Sequence, residues 1–179
     1  MKRQSFHTGL SFLFIIILML LGQTQPVAAT GGEGLRILIP AIQIEAPIVP
    51  VYIREFPNGD VTWDVSNLQM AVGHFEGLPN IGQGGNIVLG GHSERERGEA
   101  DVFYNLHRVS VGDSVIVTAD DTSFHYEVEQ VFSVPSSDLS VLYPSNSEQL
   151  TLITCDLASY QAENGAYSRR TVVVARRVE

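Results

Sequence analysis

The chain contains a single cysteine, Cys155. No intrachain disulfide can form, so a disulfide framework is excluded and a hydrophobic core must hold the fold. Lysine is almost missing too: Lys2 is the only one, and none follows residue 30. That region cannot supply a lysine amine as nucleophile, Schiff base or isopeptide donor. Positive charge is sparse there. All 20 Asp and Glu lie beyond residue 30 against nine arginines, a net formal charge of −11. Such a surface argues against nucleic acid and against anionic headgroups as partners. Cys-x-x-Cys, His-Glu-x-x-His and Gly-x-Ser-x-Gly are all absent. Five scattered histidines and one cysteine make no zinc site. The glycine-rich stretch Gly82-Gln83-Gly84-Gly85-Asn86 lacks the strand–helix context of a phosphate loop.

The first thirty residues do not read as part of a fold. Lys2 and Arg3 precede an apolar run, Leu10 to Leu21, which Gly22 to Pro26 ends and Val27-Ala28-Ala29 follows. The run is short against the roughly 20 residues that span a bilayer. That favours a cleaved signal peptide over residues 1–30. An uncleaved anchor with its N-terminus inside is the alternative, giving a membrane association through this segment. Either expectation puts the remainder outside the cytoplasm, on the outer face of the membrane or secreted. Residues 31–179 suffice for one domain with a sizeable core.

That domain reads as mainly β. Short runs of Val, Ile, Leu and Tyr alternate with polar residues and are cut by Gly, Pro, Asn and Asp. Leu35–Ile39 and Ile42–Val51 form an opening pair, with Pro40, Pro47 and Pro50 at edges and bends. Asn58-Gly59 marks a tight hairpin between Tyr52–Phe56 and Val61–Trp63. Asn86–Leu89, Ser114–Ala119, Phe124–Val134, Leu150–Cys155 and Thr171–Val178 complete the strands. Phe124, Tyr126, Val128, Gln130 and Phe132 are expected on one face. Short helices are expected at Ser66–Gln69, Ala100–His107 and Ser136–Leu142. About eight short strands with close turns indicate a closed barrel or a sandwich.

Cys155 ends the run Thr151-Leu152-Ile153-Thr154-Cys155, with Thr151, Ile153 and Cys155 on one face by strand parity. A free cysteine is often only a small buried hydrophobe, and from spacing alone that reading stands level with a nucleophile. His92, in Gly90-Gly91-His92-Ser93, follows a strand, where glycines let backbone or substrate approach closely. His74 is the rival base; His107 and His125 sit in patterned runs and read as structural. Arg169-Arg170 open the last apolar run, where an arginine near a thiol can stabilise an oxyanion. Glu94, Glu96, Glu99 and Asp101 read as a solvated acidic loop, with calcium a minor alternative.

Taken together, these residues resemble the sortase family of bacterial cysteine transpeptidases. The resemblance is carried by Leu38 to Ile48, by Val72-Gly73-His74-Phe75 with Pro79 and Gly84 to Ser93, by Val102 to Leu106 with Val111-Gly112-Asp113, and by the cysteine pentapeptide. It covers nearly all of residues 35–178. It implies an eight-stranded β-barrel with short helices, Cys155 as nucleophile, His92 as general acid and base, and Arg170 as oxyanion and substrate stabiliser, with Arg169 the lesser candidate. It implies no cofactor. The substrates it implies are surface proteins with a Leu-Pro-x-Thr-Gly-like sorting signal and an amine on a cell-wall precursor or another protein. Compactness and the lack of an added hydrophobic C-terminal tail suit a housekeeping-like or small accessory sortase, D-, E- or F-like rather than pilin-building. Two rivals remain: a secreted thiol peptidase acting by hydrolysis, and a non-catalytic exported binding barrel. A papain-type order is excluded because His92 precedes Cys155.

Overall fold

The computed structural model describes residues 34–95 and 98–178. The expected export segment and Glu96 of the acidic loop lie outside the described residues. Twelve strands follow one another: β1 (Arg36–Ile39), β2 (Ile44–Val51), β3 (Ile53–Glu55), β4 (Val61–Trp63), β5 (Val72–Phe75), β6 (Asn86–Gly90), β7 (Ser114–Ala119), β8 (Thr122–Pro135), β9 (Gln149–Cys155), β10 (Tyr160–Gln161), β11 (Ala166–Tyr167) and β12 (Arg169–Arg177).

Eight of these close into a barrel in the order β1-β2-β5-β6-β9-β12-β8-β7. The pairing of β7 back onto β1 leaves no open edge. β2–β5 and β6–β9 are parallel. Parallel neighbours need long crossovers, and the chain supplies them. The β3–β4 hairpin, turned at Asn58-Gly59, rides on the first crossover, and β7–β8 lies within the second. Alternation drives the barrel wall: Ile37, Ile39, Ile44, Ala46 and Ile48 point into the core between exposed neighbours. β6 is buried at every residue, as its unbroken Ile-Val-Leu run requires.

One expectation is realised in tighter form, and one needs correction. Among the described residues there is no α-helix, only 3₁₀ turns such as Pro40–Ile42, Leu106–Arg108, Ser140–Leu142 and Leu157–Ser159. Helices of one or two turns do not support themselves in water. Insertion of Val102, Phe103, Leu106 and Val109 into the core sets the path of that segment instead. The face Phe124, Tyr126, Val128, Gln130, Phe132 does not persist along β8. β12 steps from Val174 opposite Gln130 to Ala175 opposite Val128, so Glu129 is an extra residue and parity reverses there. Gln130 and Phe132 are exposed, and Val131 packs on the core in their place.

Candidate active site

β9 delivers Cys155 to one end of the barrel. Leu150 and Leu152 fill the core, so the alternate residues Ile153 and Cys155 lie on the outer face, where both are half-buried. β6 runs parallel to β9 with Gly90 beside Ile153, and Gly91 N–H donates to the Ile153 carbonyl at 3.1 Å. β6 ends at Gly90, and His92 follows just past the strand end. On the other flank, antiparallel β12 places Arg170 directly opposite Cys155. The strand carrying the thiol is thus bordered by β6, which leads to the expected histidine, and by β12, which carries the expected arginine.

The glycines before His92 are needed for packing. A Cβ at Gly90 would meet the Phe75 ring at 2.5 Å, and one at Gly91 would meet Val102 at 2.7 Å and Phe103 at 2.8 Å. With the backbone drawn in so tightly, His92 is held by its own hydrogen bonds. Its carbonyl accepts from Phe103 N–H at 3.0 Å, and its Nε2 lies 2.9 Å from the Val65 carbonyl. A carbonyl only accepts, so Nε2 carries the hydrogen and Nδ1 is the nitrogen left to exchange protons.

The two arginines separate cleanly. Arg169 donates from Nε to Ser133 Oγ at 2.9 Å and from Nη2 to the Ser133 carbonyl on β8. Arg170 donates from Nη1 to the carbonyls of Tyr167 and Arg169 at 3.0 and 3.1 Å, and its charge acts on Cys155. Burial nevertheless dominates and pushes the Cys155 thiol up; Arg170 opposes the shift and the Glu94 carboxylate reinforces it.

Cys155 opens onto a cleft of about 610 Å³ between the 103–108 segment and the 154–158 turn. His92 opens onto a second hollow of about 570 Å³, with Glu94 and Asp101 in its wall. Thiol and imidazole therefore front different hollows. The first cleft also carries Thr154, whose buried Oγ1 has no hydrogen-bond partner. It carries His107 as well, which is exposed there rather than structural as its patterned run suggested. His74 stays on β5 with Nε2 at 2.9 Å from the Pro79 carbonyl. Sequence reasoning missed Thr154 and Tyr167. An unpartnered hydroxyl and a contact between residues 73 positions apart leave no periodic trace.

The described carboxylates of the acidic loop engage protein groups, although Asp101 Oδ2 is buried without a hydrogen-bond partner. Glu94 accepts from Tyr167, Glu99 pairs with Arg95 at 3.7 Å, and Asp101 Oδ1 accepts from Met70 and Val102 N–H at 2.8 and 2.6 Å. Among the described residues no group of three or more His, Cys, Asp and Glu is placed to hold a metal ion.

The family model for the sortase domain matches residues 37–178. The chain belongs to the sortase family. Sortase D of Bacillus subtilis is 29% identical over 149 residues, covering 82% of this chain and 65% of that protein. Sortase A of Listeria monocytogenes is 31% identical over 72 residues, covering 40% of this chain and 32% of the relative. The chain thus spans less than two thirds of either relative. The solved sortase A of Corynebacterium diphtheriae, in a lid mutant, superposes with a TM-score of 0.63 at 30% identity, covering 81% of this chain and 69% of that one. Sortase C1 of GBS Pilus Island 1 gives 0.63 at 28%, covering 81% and 64%. The closed eight-stranded barrel is therefore a sortase barrel. Within this sortase, Cys155 ends the ninth strand and Arg170 is the second residue of the twelfth, directly opposite it, while Gly91-His92 follow the end of β6.

Proposed function

We propose that this sortase is a cysteine transpeptidase that acts on a Leu-Pro-x-Thr-Gly-like sorting signal. The single observation that supports the reading is Cys155 directly opposite Arg170, on a strand whose other neighbour leads into Gly91-His92. The Cys155 thiolate adds to the carbonyl carbon of the scissile Thr–Gly bond, and the carbonyl electrons move onto oxygen. Arg170 stabilises that oxyanion. On collapse the C–N bond breaks, and imidazolium Nδ1–H of His92 protonates the departing amine. The thioacyl enzyme then meets an acceptor amine. His92 takes its proton, the amine attacks the thioester, and Cys155 leaves as thiolate.

These steps use protein groups alone, with no cofactor and no calcium. Surface proteins bearing the sorting signal are the donors, and an amine of a cell-wall precursor or another protein is the acceptor. The export segment of residues 1–30 places this reaction outside the cytoplasm, anchored at the membrane or secreted. The small, acidic barrel suits a D-, E- or F-like member.

The test uses peptides carrying Leu-Pro-x-Thr-Gly, Leu-Pro-x-Thr-Ala and Leu-Ala-x-Thr-Gly, with intact-protein mass spectrometry. An acyl adduct on Cys155 that a glycine-based amine converts to ligated peptide is expected. An adduct lost only to water would make the protein a thiol peptidase. No adduct and no reaction with a charged thiol reagent would leave a binding barrel.

A further inference from the structure

Tyr167 stands where the two loops bordering Cys155 meet. It ends β11, three residues before Arg170. Its hydroxyl donates to Glu94 Oε2, two residues beyond His92. Its carbonyl accepts from Arg170 Nη1 at 3.0 Å. Its ring lies tilted on Tyr160 at 5.2 Å between centroids, across the β10–β11 pair. One residue therefore engages the His92 loop and the arginine, and its hydroxyl senses the charge of the thiol.

The hairpin that bears Tyr167 has strands of two residues each, too short to stand alone. Among the described residues the other hydrogen bonds of residues 160–167 stay within residues 160–170, while the flanking Ser159, Ser168 and Arg169 are tied to Asp156, Ser136 and Ser133. The bond to Glu94 leaves that segment and crosses to the far side of β9.

We propose that the Tyr167–Glu94 hydrogen bond is a positioning latch: it clasps the β10–β11 hairpin to the loop after His92 and so holds Arg170 and His92 in register on either side of Cys155. The latch rests on the reading of Cys155 as the reacting thiol. Neither Tyr167 nor Glu94 takes part in bond making. The hydrogen bond to Glu94, ahead of burial, pushes the Tyr167 hydroxyl up to about 12, so it remains a donor at any pH where a sortase works. Other charged or titratable groups around the thiol are Arg170 opposite it and Asp156 next in chain, with His107 and Arg108 across the cleft and His92 past the end of β6. Of the latch partners, Glu94 alone adds negative charge near the thiol.

The full chain would be compared with Y167F, E94A and E94Q, each first checked for an unchanged thermal transition. Two readouts are independent of one another. Alkylation of Cys155 by iodoacetamide across pH needs no substrate; acylation by a sorting peptide reports the reaction. Y167F and E94A open the hairpin, so alkylation at its high-pH plateau is expected to quicken and acylation kcat to fall about tenfold, the scale of one charge-assisted hydrogen bond. E94Q keeps an acceptor oxygen and is expected to recover most of the E94A loss. Its alkylation midpoint is expected at lower pH than wild type, because the carboxylate is gone.

Wild-type behaviour of both Y167F and E94A would overturn the latch. So would E94Q losing as much acylation as E94A, since charge rather than the bond would then matter. If Y167F fails to fold, the E94A and E94Q pair decides by the same criterion. If no peptide acylates the wild type, the transpeptidase reading fails separately. The latch is then judged on alkylation: a faster plateau in Y167F upholds it, and an unchanged one refutes it.

Discussion

Arg170 and Cys155 are directly opposed residues of the antiparallel β9–β12 pair, whereas Arg169, one residue earlier, is fastened to Ser133 of β8. Opposed residues of a strand pair share a face, so the guanidinium of Arg170 is on the thiol's side of the wall. Adjacent residues alternate, which is why two neighbouring arginines serve different ends.

Arg170→Ala is therefore expected to cut peptide acylation about a hundredfold, the usual scale for one oxyanion donor. Arg169→Ala should retain most acylation and instead lower the thermal midpoint, because it removes two hydrogen bonds to Ser133. Rates of acyl-enzyme formation by intact mass, beside thermal unfolding, separate the two. Equal loss of acylation at both positions would refute this division.

The alkylation rate of Cys155 should rise with pH to a midpoint above the ordinary thiol value of 9.0, since burial outweighs the opposing Arg170 charge. The protonated thiol is thus the resting form at neutral pH. Arg170→Gln removes the stabilising cation and should move the midpoint higher still. A midpoint below 9.0 in the wild type, read by iodoacetamide kinetics, would contradict the burial argument.

Thr154→Val should separate stability from activity. The buried Oγ1 is unpartnered, and an unpaired buried hydroxyl costs about 1–3 kcal/mol. Valine matches its shape, so the thermal midpoint should stay level or rise. Acylation should stay near wild type, because the buried hydroxyl alternates with Cys155 and lies on the opposite strand face. A large loss of acylation at unchanged stability would refute this.

Away from the thiol, Glu148 closes a network in which Tyr126 and Arg177 approach Oε1 at 2.8 and 3.0 Å and Gly84 N–H approaches Oε2 at 3.0 Å. Burial works to raise the Glu148 carboxyl, but the Tyr126, Gly84 and Arg177 partners together hold it below the usual range. A depressed folded pKa stabilises the fold above the unfolded value of about 4.5, and that contribution is lost as pH falls through the folded value. Glu148→Gln should cost about 1–3 kcal/mol at neutral pH. It should also flatten the loss of stability on acidification. Urea unfolding at neutral and acid pH checks both, and a parallel loss in wild type and variant would refute the assignment.

The barrel was legible because its strands alternate strongly: Ile37, Ile39, Ile44 and Ile48 announce a wall with one buried face. The parity of Leu150, Leu152 and Cys155 follows from the same period of two. Where the period fails, reading fails, as at Glu129, whose bulge reverses the exposure of Gln130 and Val131 without any mark in composition. Of the residues expected at the site, Cys155 and Arg170 are opposed across β9 and β12, whereas His92 follows β6 and fronts a separate hollow. Thr154, His107 and Tyr167 were not recoverable, because their place depends on which strands become neighbours.

Sequence alone determined the alternating strands, the outward face of the lone thiol and the acidic, lysine-free surface, because each follows from local chemistry and a fixed side-chain period. Tertiary structure decided which arginine faces the thiol, which nitrogen of His92 is free, how burial and charge set the acidity of Cys155, and that Tyr167 reaches Glu94. Those depend on strand pairing and desolvation, which join residues far apart in the chain.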